Sequence, residues 1–385
     1  MPRSSSTAAS RTPCCSKSSP ARVSARLSTP ERVIRFRSLD AMRGVAAIGV
    51  ALMHWAKIGG QSWLPSGYLA VDMFFALSGF VIAHAYDGRI SAGLGTRRFM
   101  AMRFIRLYPL YLLGTLVSVA MVVTRLDTSW SAAGFRLALV FALLMLPMPM
   151  PGGEPVDDHG TLYPLNDPAW SLLFELIANL GFVLIHRWLT TRVLLLILAA
   201  AAVALLVSTQ QQHSMERGWA WDGFGVAAAR VAFSFPLGVL VYRRFRDGVL
   251  PRWRVPVWVI LAGIVAVMAM PAEGLPFEAA RDAAVVLLVL PLLLVFGVNA
   301  ADGPAAQPLF DWLGEISYPL YAVHGPLMAL VAALAAVPGS DGEMAVPAAP
   351  LLALLVLLIA LCRPLSRWFD SPARRWLTAR LGLAK

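Results

Sequence analysis

Charge is what this sequence has least of. Asp, Glu, Lys and Arg make up 14% of its 385 residues, where a soluble domain carries about a quarter. With 58% hydrophobic residues and a mean hydropathy of +0.66, that scarcity excludes an ordinary water-soluble globule. Acidic side chains are the rarer half, 22 against 33 basic ones, for a net charge of +11. Such an excess would suit nucleic acid. Here, however, the basic residues sit at the two ends and in short loops between apolar runs, as membrane topology signals do; no nucleic-acid partner is expected. Cysteine is nearly absent: Cys14 and Cys15 adjoin in a polar tail, and Cys362 closes the last apolar run. Three cysteines so placed exclude a disulfide framework and a metal-ligand spacing, so no metal site is expected. No internal repeat is visible, so the inverted-repeat signature of many transporters is missing.

Apolar runs of bilayer length, roughly 17–25 residues, are abundant instead. They fall near 39–57, 68–86, 105–124, 168–186, 192–208, 225–242, 255–271, 283–299, 313–336 and 346–362. The fold class that follows is all-α, a polytopic transmembrane helix bundle of about ten spans in a lipid bilayer. A further apolar stretch, 135–150, is short and runs into Pro147, Pro149 and Pro151. Charge placement decides its status. If the basic N-terminus is cytoplasmic, the loop carrying Arg89, Arg97, Arg98 and Arg103 falls inside. Leaving 135–150 as a re-entrant or half-helix segment then puts the acidic loop 154–158 outside. Arg187 and Arg192, then Arg243, Arg244 and Arg246, and lastly Arg363, Arg367, Arg374, Arg375 and Arg380 all fall inside. A full crossing would invert every one of these clusters. Both termini are therefore expected in the cytoplasm, around a bacterial inner membrane. Residues 1–37, rich in Ser, Arg and Pro with Glu31 as the only acid, read as a disordered basic cytoplasmic tail. Residues 38–365 read as the membrane domain, and 366–385 as a basic cytoplasmic C-terminal tail.

An ionisable group inside the hydrocarbon layer is unfavourable enough that each one is a functional hypothesis. The first span carries Arg43 and His54. At about 100° per residue, the eleven-residue step between them puts both on one helix face, about 16 Å apart along the axis. Arg43 thus lies near the cytoplasmic surface and His54 in the outer half. Asp72, in the next span and running inward, falls near the depth of His54. A His–carboxylate pair would hold the imidazole in one tautomer. Glu175 and His324 fall at overlapping depths in two later spans, which makes a shared polar cavity the economical explanation. Each residue also has a purely structural reading: Arg43 as a snorkelling anchor, His54 as an interhelical hydrogen-bonder, Asp72 in a buried ion pair. On the cytoplasmic side Arg103 and Arg106 form an i, i+3 pair on one helix face. They suit either positive-inside topology or a clamp for phosphates.

Taken together, these segments resemble the acyltransferase-3 family of multi-span membrane proteins. The matching pieces are Ser38-Leu39-Asp40-Ala41-Met42-Arg43-Gly44 followed by His54; Val71-Asp72-Met73-Phe74-Phe75-Ala76-Leu77-Ser78-Gly79-Phe80; Arg103-Phe104-Ile105-Arg106-Leu107-Tyr108-Pro109; Trp170-Ser171-Leu172-Leu173-Phe174-Glu175; and Ser317-Tyr318-Pro319-Leu320-Tyr321-Ala322-Val323-His324. They occur in the family's order, from about residue 38 to 365. Met42 stands where Leu is more usual, and Leu173-Phe174 where a Ser-Val pair is. The resemblance implies a membrane O-acyltransferase with an acyl-CoA donor, usually acetyl-CoA, and no permanently bound cofactor. It implies an acceptor hydroxyl on a carbohydrate or glycoconjugate, as in polysaccharide O-acetylation. Some members add an extracytoplasmic esterase-like domain; nothing follows residue 385, so a stand-alone membrane domain is expected. Residues and resemblance agree on a division of labour. Arg43, Arg103 and Arg106 would grip the donor phosphates, and His54 would deprotonate the acceptor with Asp72 orienting it. Ser171, Glu175, Tyr318 and His324 would bind the acceptor or complete a proton path. The alternative is a proton-coupled transporter with a His–carboxylate relay. A rhomboid-like protease is weaker, because Ala76-Leu77-Ser78-Gly79 lacks the first Gly of that motif.

Overall fold

The computed structural model describes residues 35–127, 129–150, 160–251, 253–272, 277–301, 303–338 and 344–383. The N-terminal tail up to residue 34, including Cys14 and Cys15, and the acidic loop 154–158 lie outside the described residues. The regular structure among the described residues is helical, apart from a minimal antiparallel pair, β1 (Val337–Pro338) with β2 (Met344–Ala345). The helices are α1 (Arg37–Ile58), α2 (Ala70–Ser91), α3 (Thr96–Val123), α4 (Ala132–Leu143), α5 (Trp170–Ile185), α6 (Thr191–Gln212), α7 (Phe224–Arg246), α8 (Val257–Met268), α9 (Glu278–Ala284), α10 (Leu290–Val298), α11 (Gln307–Ala335), α12 (Ala348–Leu365) and α13 (Ser371–Arg380). Five-residue π-helical turns join α9 to α10 and α12 to α13. The stretch after residue 365 thus continues as helix. Local signals set several ends: Ser131 Oγ caps α4 by accepting from Gly134 N, and Thr190 Oγ1 caps α6 by accepting from Val193 N. Pro256 and Pro347, in extended conformation, precede α8 and α12.

Eight helical segments among the described residues are long and apolar enough to cross a bilayer. This is a polytopic helical membrane bundle. α6 turns Leu196 and Val203 outward at 69% and 61% exposure, which suits hydrocarbon and not water. Two runs read as spans fall outside the eight. α1 carries Arg37, Asp40, Arg43 and Lys57 in its length, and α8 has only twelve residues.

Two pairs of helices build the centre, and both pairs are parallel. α1 meets α11 through Arg37–Asp311, Arg43–Ser317 and His54–His324, at the nearly constant sequence offsets of 274, 274 and 270. α2 meets α7 through Asp72–Arg230 and Asp87–Arg243, at offsets of 158 and 156. Glycines allow both approaches. A Cβ on Gly79 would lie 2.0 Å from the Phe235 carbonyl oxygen, and one on Gly238 2.0 Å from that of Ala76. Gly44 faces Leu313 and Gly314 faces Asp40 at similarly short range. Small residues at crossings let backbones touch, which drives association where the solvent is lipid.

These pairings bear on α4. Successive spans alternate in direction, so α7 runs parallel to α2 only if α4 does not cross. α11 then runs parallel to α1 only if α8 does. A bundle in which α8 crosses and α4 does not satisfies both pairings. α4 and α8 both have twelve residues, about 18 Å, so helix direction and not length separates them.

Candidate active site

The α1–α11 register brings two imidazoles together. His54 Nδ1 lies 2.9 Å from His324 Nε2. His324 is fully buried, whereas His54 keeps partial exposure. Ten residues earlier on each helix stand Gly44 and Gly314, so close packing at one end carries through to the histidines. Next to that glycine contact, Arg43 donates from Nε to Ser317 Oγ at 2.9 Å and from Nη2 to Asp40 Oδ1 at 3.0 Å.

Asp72 does not orient His54. Its carboxylate accepts from Arg230 Nη2 at 2.7 Å and Nε at 3.1 Å, and from Ser234 Oγ at 3.4 Å. The Asp72 and Arg230 side chains are 0% and 1% exposed. The expectation from depth fails because depth says nothing about which face a residue takes: α2 turns Asp72 toward its parallel neighbour α7. Arg230 is the residue sequence reasoning missed. Its signal was available, an arginine inside the apolar run 226–241.

Glu175 also leaves the histidines. It accepts from Arg103 Nη2 at 2.7 Å and from Ser78 Oγ at 3.0 Å. α3 starts at Thr96, nine residues before the apolar run read from 105. Arg103 and Arg106 therefore lie well inside the helix and not at its mouth. Arg106 packs its guanidinium 4.8 Å from the centre of the Tyr318 ring. It makes only a long contact, 3.7 Å, to Asp370, and its buried Nη1 has no hydrogen-bond partner. The Tyr318 hydroxyl donates to the Leu107 carbonyl, and Tyr321 OH shares a 2.6 Å hydrogen bond with Ser171 Oγ.

Six of the residues singled out from sequence line one cavity of about 150 Å³: Arg43, Arg103, Arg106, Ser171, Glu175 and Tyr318. It is basic at one side, where three guanidinium groups meet one carboxylate. His54 and His324 do not line it. Tyr321 does, and its ring lies 5.7 Å from that of His324 and 5.3 Å from that of Phe74. Tyr321 is thus the shared wall between the basic cavity and the histidine pair. Such a pair of compartments can hold an anionic group on one side and move a proton on the other.

Comparison with known proteins bears on this geometry. Residues 36–363 match the family model described as an acyltransferase domain, that of the acyltransferase-3 family. The chain belongs to this family. Its acyltransferase-3 domain therefore covers every residue of the cavity and the histidine pair, and the protein is a membrane acyltransferase. The chain is 40% identical to Protein 2 in picA locus of Rhizobium radiobacter over 164 residues, 40% of this chain and 81% of that protein. It is 30% identical to acyltransferase MdmB of Streptomyces mycarofaciens over 171 residues, 41% of each chain. No solved structure matches.

Proposed function

We propose that the protein transfers an acyl group, acetyl by the family resemblance, from acyl-CoA to a hydroxyl of a carbohydrate or glycosylated acceptor. The membrane is a bacterial inner membrane, with both termini in the cytoplasm. The observation that carries this reading is the basic cavity, where residues far apart in sequence converge next to a histidine pair. Three arginines around a small cavity suit phosphate oxygens. Arg106 and Arg103 have spare donors, Nη1 and Nε respectively, although Arg103 also pairs with Glu175; Arg43 is engaged by Asp40 and Ser317. His54 serves as general base, the role its partial exposure allows and the full burial of His324 does not. Asp72 takes a structural part, through Arg230.

The test uses purified protein and labelled acetyl-CoA, with product analysis of surface polysaccharide from a deletion strain to name the acceptor. A positioned general base contributes about 10²–10⁴-fold, so His54→Ala is expected to lose that much turnover while still binding donor. Arg106→Ala is expected to raise the donor KM by roughly 10- to 100-fold, the loss of one charge-assisted contact. A folded His54→Ala protein that turns over at the wild-type rate would reject His54 as base. An unchanged KM in Arg106→Ala would return that residue to a topology signal.

A further inference from the structure

We propose that His324 is the positioning residue that fixes the proton of His54, leaving Nε2 of His54 as the basic atom; this rests on the reading of His54 as base. The backbone of α11 decides the tautomer of His324. Its Nδ1 lies 2.9 Å from the Tyr321 carbonyl oxygen and 3.2 Å from that of Leu320. A carbonyl oxygen only accepts, so Nδ1 of His324 carries the hydrogen, and in the neutral ring Nε2 carries the lone pair. That Nε2 faces His54 Nδ1 at 2.9 Å. His54 is therefore the donor in this bond, and by the same rule its own Nε2 is unprotonated. Two helical carbonyls thus set the tautomer of one imidazole and, through it, of the other.

Ring geometry agrees. The two planes are within 7° of parallel, and the centroids are 5.1 Å apart. That distance exceeds the 2.9 Å nitrogen separation by about two ring radii, so the rings meet edge to edge with the N–H in its own plane. A face-to-face stack would leave no such bond. Among the described residues, the hydrogen bonds of the two rings include no carboxylate: Asp72 is taken by Arg230 and Glu175 by Arg103. His324 therefore occupies the place that an acid takes in a Ser-His-Asp triad, which holds the imidazole in the correct tautomer and orientation.

The step balances. The acceptor hydroxyl gives its proton to Nε2 of His54, and its oxygen forms a bond to the thioester carbonyl carbon. The carbon–sulfur bond breaks, sulfur leaves with the electron pair, and Nε2 returns the proton to it as the thiol. The Nδ1–H of His54 stays on the lone pair of His324 throughout.

His324→Leu removes the acceptor, whereas His324→Gln offers an amide oxygen near the position of Nε2. His324→Leu is expected to lower kcat by about 100-fold or more with the acetyl-CoA KM unchanged, and His324→Gln to recover about tenfold of that loss or more. A purely structural role would cost stability without this split or rescue. A folded His324→Leu protein with near wild-type kcat overturns the proposal, as does a His324→Gln protein no faster than His324→Leu. Should the variants fail to fold, ¹⁵N-histidine NMR of the wild-type protein decides, with His54 assigned by its loss in His54→Ala. Protonation at Nδ1 is expected, and protonation at Nε2 overturns the proposal. Activity retained in His54→Ala would instead reject the base itself, whereas a dead His54→Ala with an active His324→Leu rejects the role of His324 alone.

Discussion

Arg230 donates to Asp72 and also to the carbonyls of Tyr68, Met215 and Arg217. One side chain therefore ties α2 and α7 to the segment that enters α7. Removing one partner of a buried pair leaves a charge with no counter-ion, about 3–5 kcal/mol of destabilisation, whereas replacing both with apolar groups is far milder. Asp72→Ala is accordingly expected to lower the melting midpoint in detergent sharply, and Asp72→Leu with Arg230→Met to regain most of it. A double variant as unstable as the single one would show that the pair is not the cause. At this scale the sequence disclosed which residues matter and seldom which ones meet. His54 and Asp72 could be singled out because ionisable groups in apolar runs are conspicuous. Their partners, His324 and Arg230, stand 270 and 158 residues away, and helix depth alone does not say which face each turns to which neighbour. The six cavity residues were legible because polar side chains in or beside apolar runs fell into one family pattern.

Helix α1 is held to α11 by the contact of Gly44 with Leu313 and of Gly314 with Asp40, where an added Cβ would come within 2.5 Å and 2.8 Å of its neighbour. A larger residue there must drive the helices apart, and the histidine bond lies on the same two rods. Gly314→Val is expected to lower turnover by at least an order of magnitude, while Gly225→Ala, whose Cβ meets nothing within 4 Å, leaves it unchanged. Acyl-CoA turnover of both in matched detergent preparations is the measurement; equal rates would detach the glycine contact from the chemistry. Helix existence was legible from run length except at the C-terminal end, where the polar α13 lies in the segment read as a tail. Where helices begin was less so: α3 starts nine residues before its apolar run, because Thr96, Arg97 and Arg98 continue the helix beyond the apolar stretch. Hydropathy marks the hydrocarbon layer, and a helix need not end where that layer does.

Across the whole molecule, the parallel pairings α1–α11 and α2–α7 fit a path in which α8 crosses and α4 does not. Reporter fusions at Gly160 and at Gly382 are expected to fall on opposite sides of the membrane, with Gly382 cytoplasmic. A cytoplasmic Gly160 together with an external Gly382 would restore α4 as a crossing and conflict with the pairings. The chain's charge pattern also argues against a crossing by α4, since positive clusters and helix direction are two consequences of one insertion path. A different consequence follows from proline. α1 has none between Arg37 and Ile58, whereas α11 contains Pro319 and Pro326. Pro319 lies between Ser317 and His324 and has no amide hydrogen to give the preceding turn. The interval from Arg43 to His54 is thus a gauge length, set by the unbroken rise of one helix, and the interval from Ser317 to His324 on the facing helix is the compliant one.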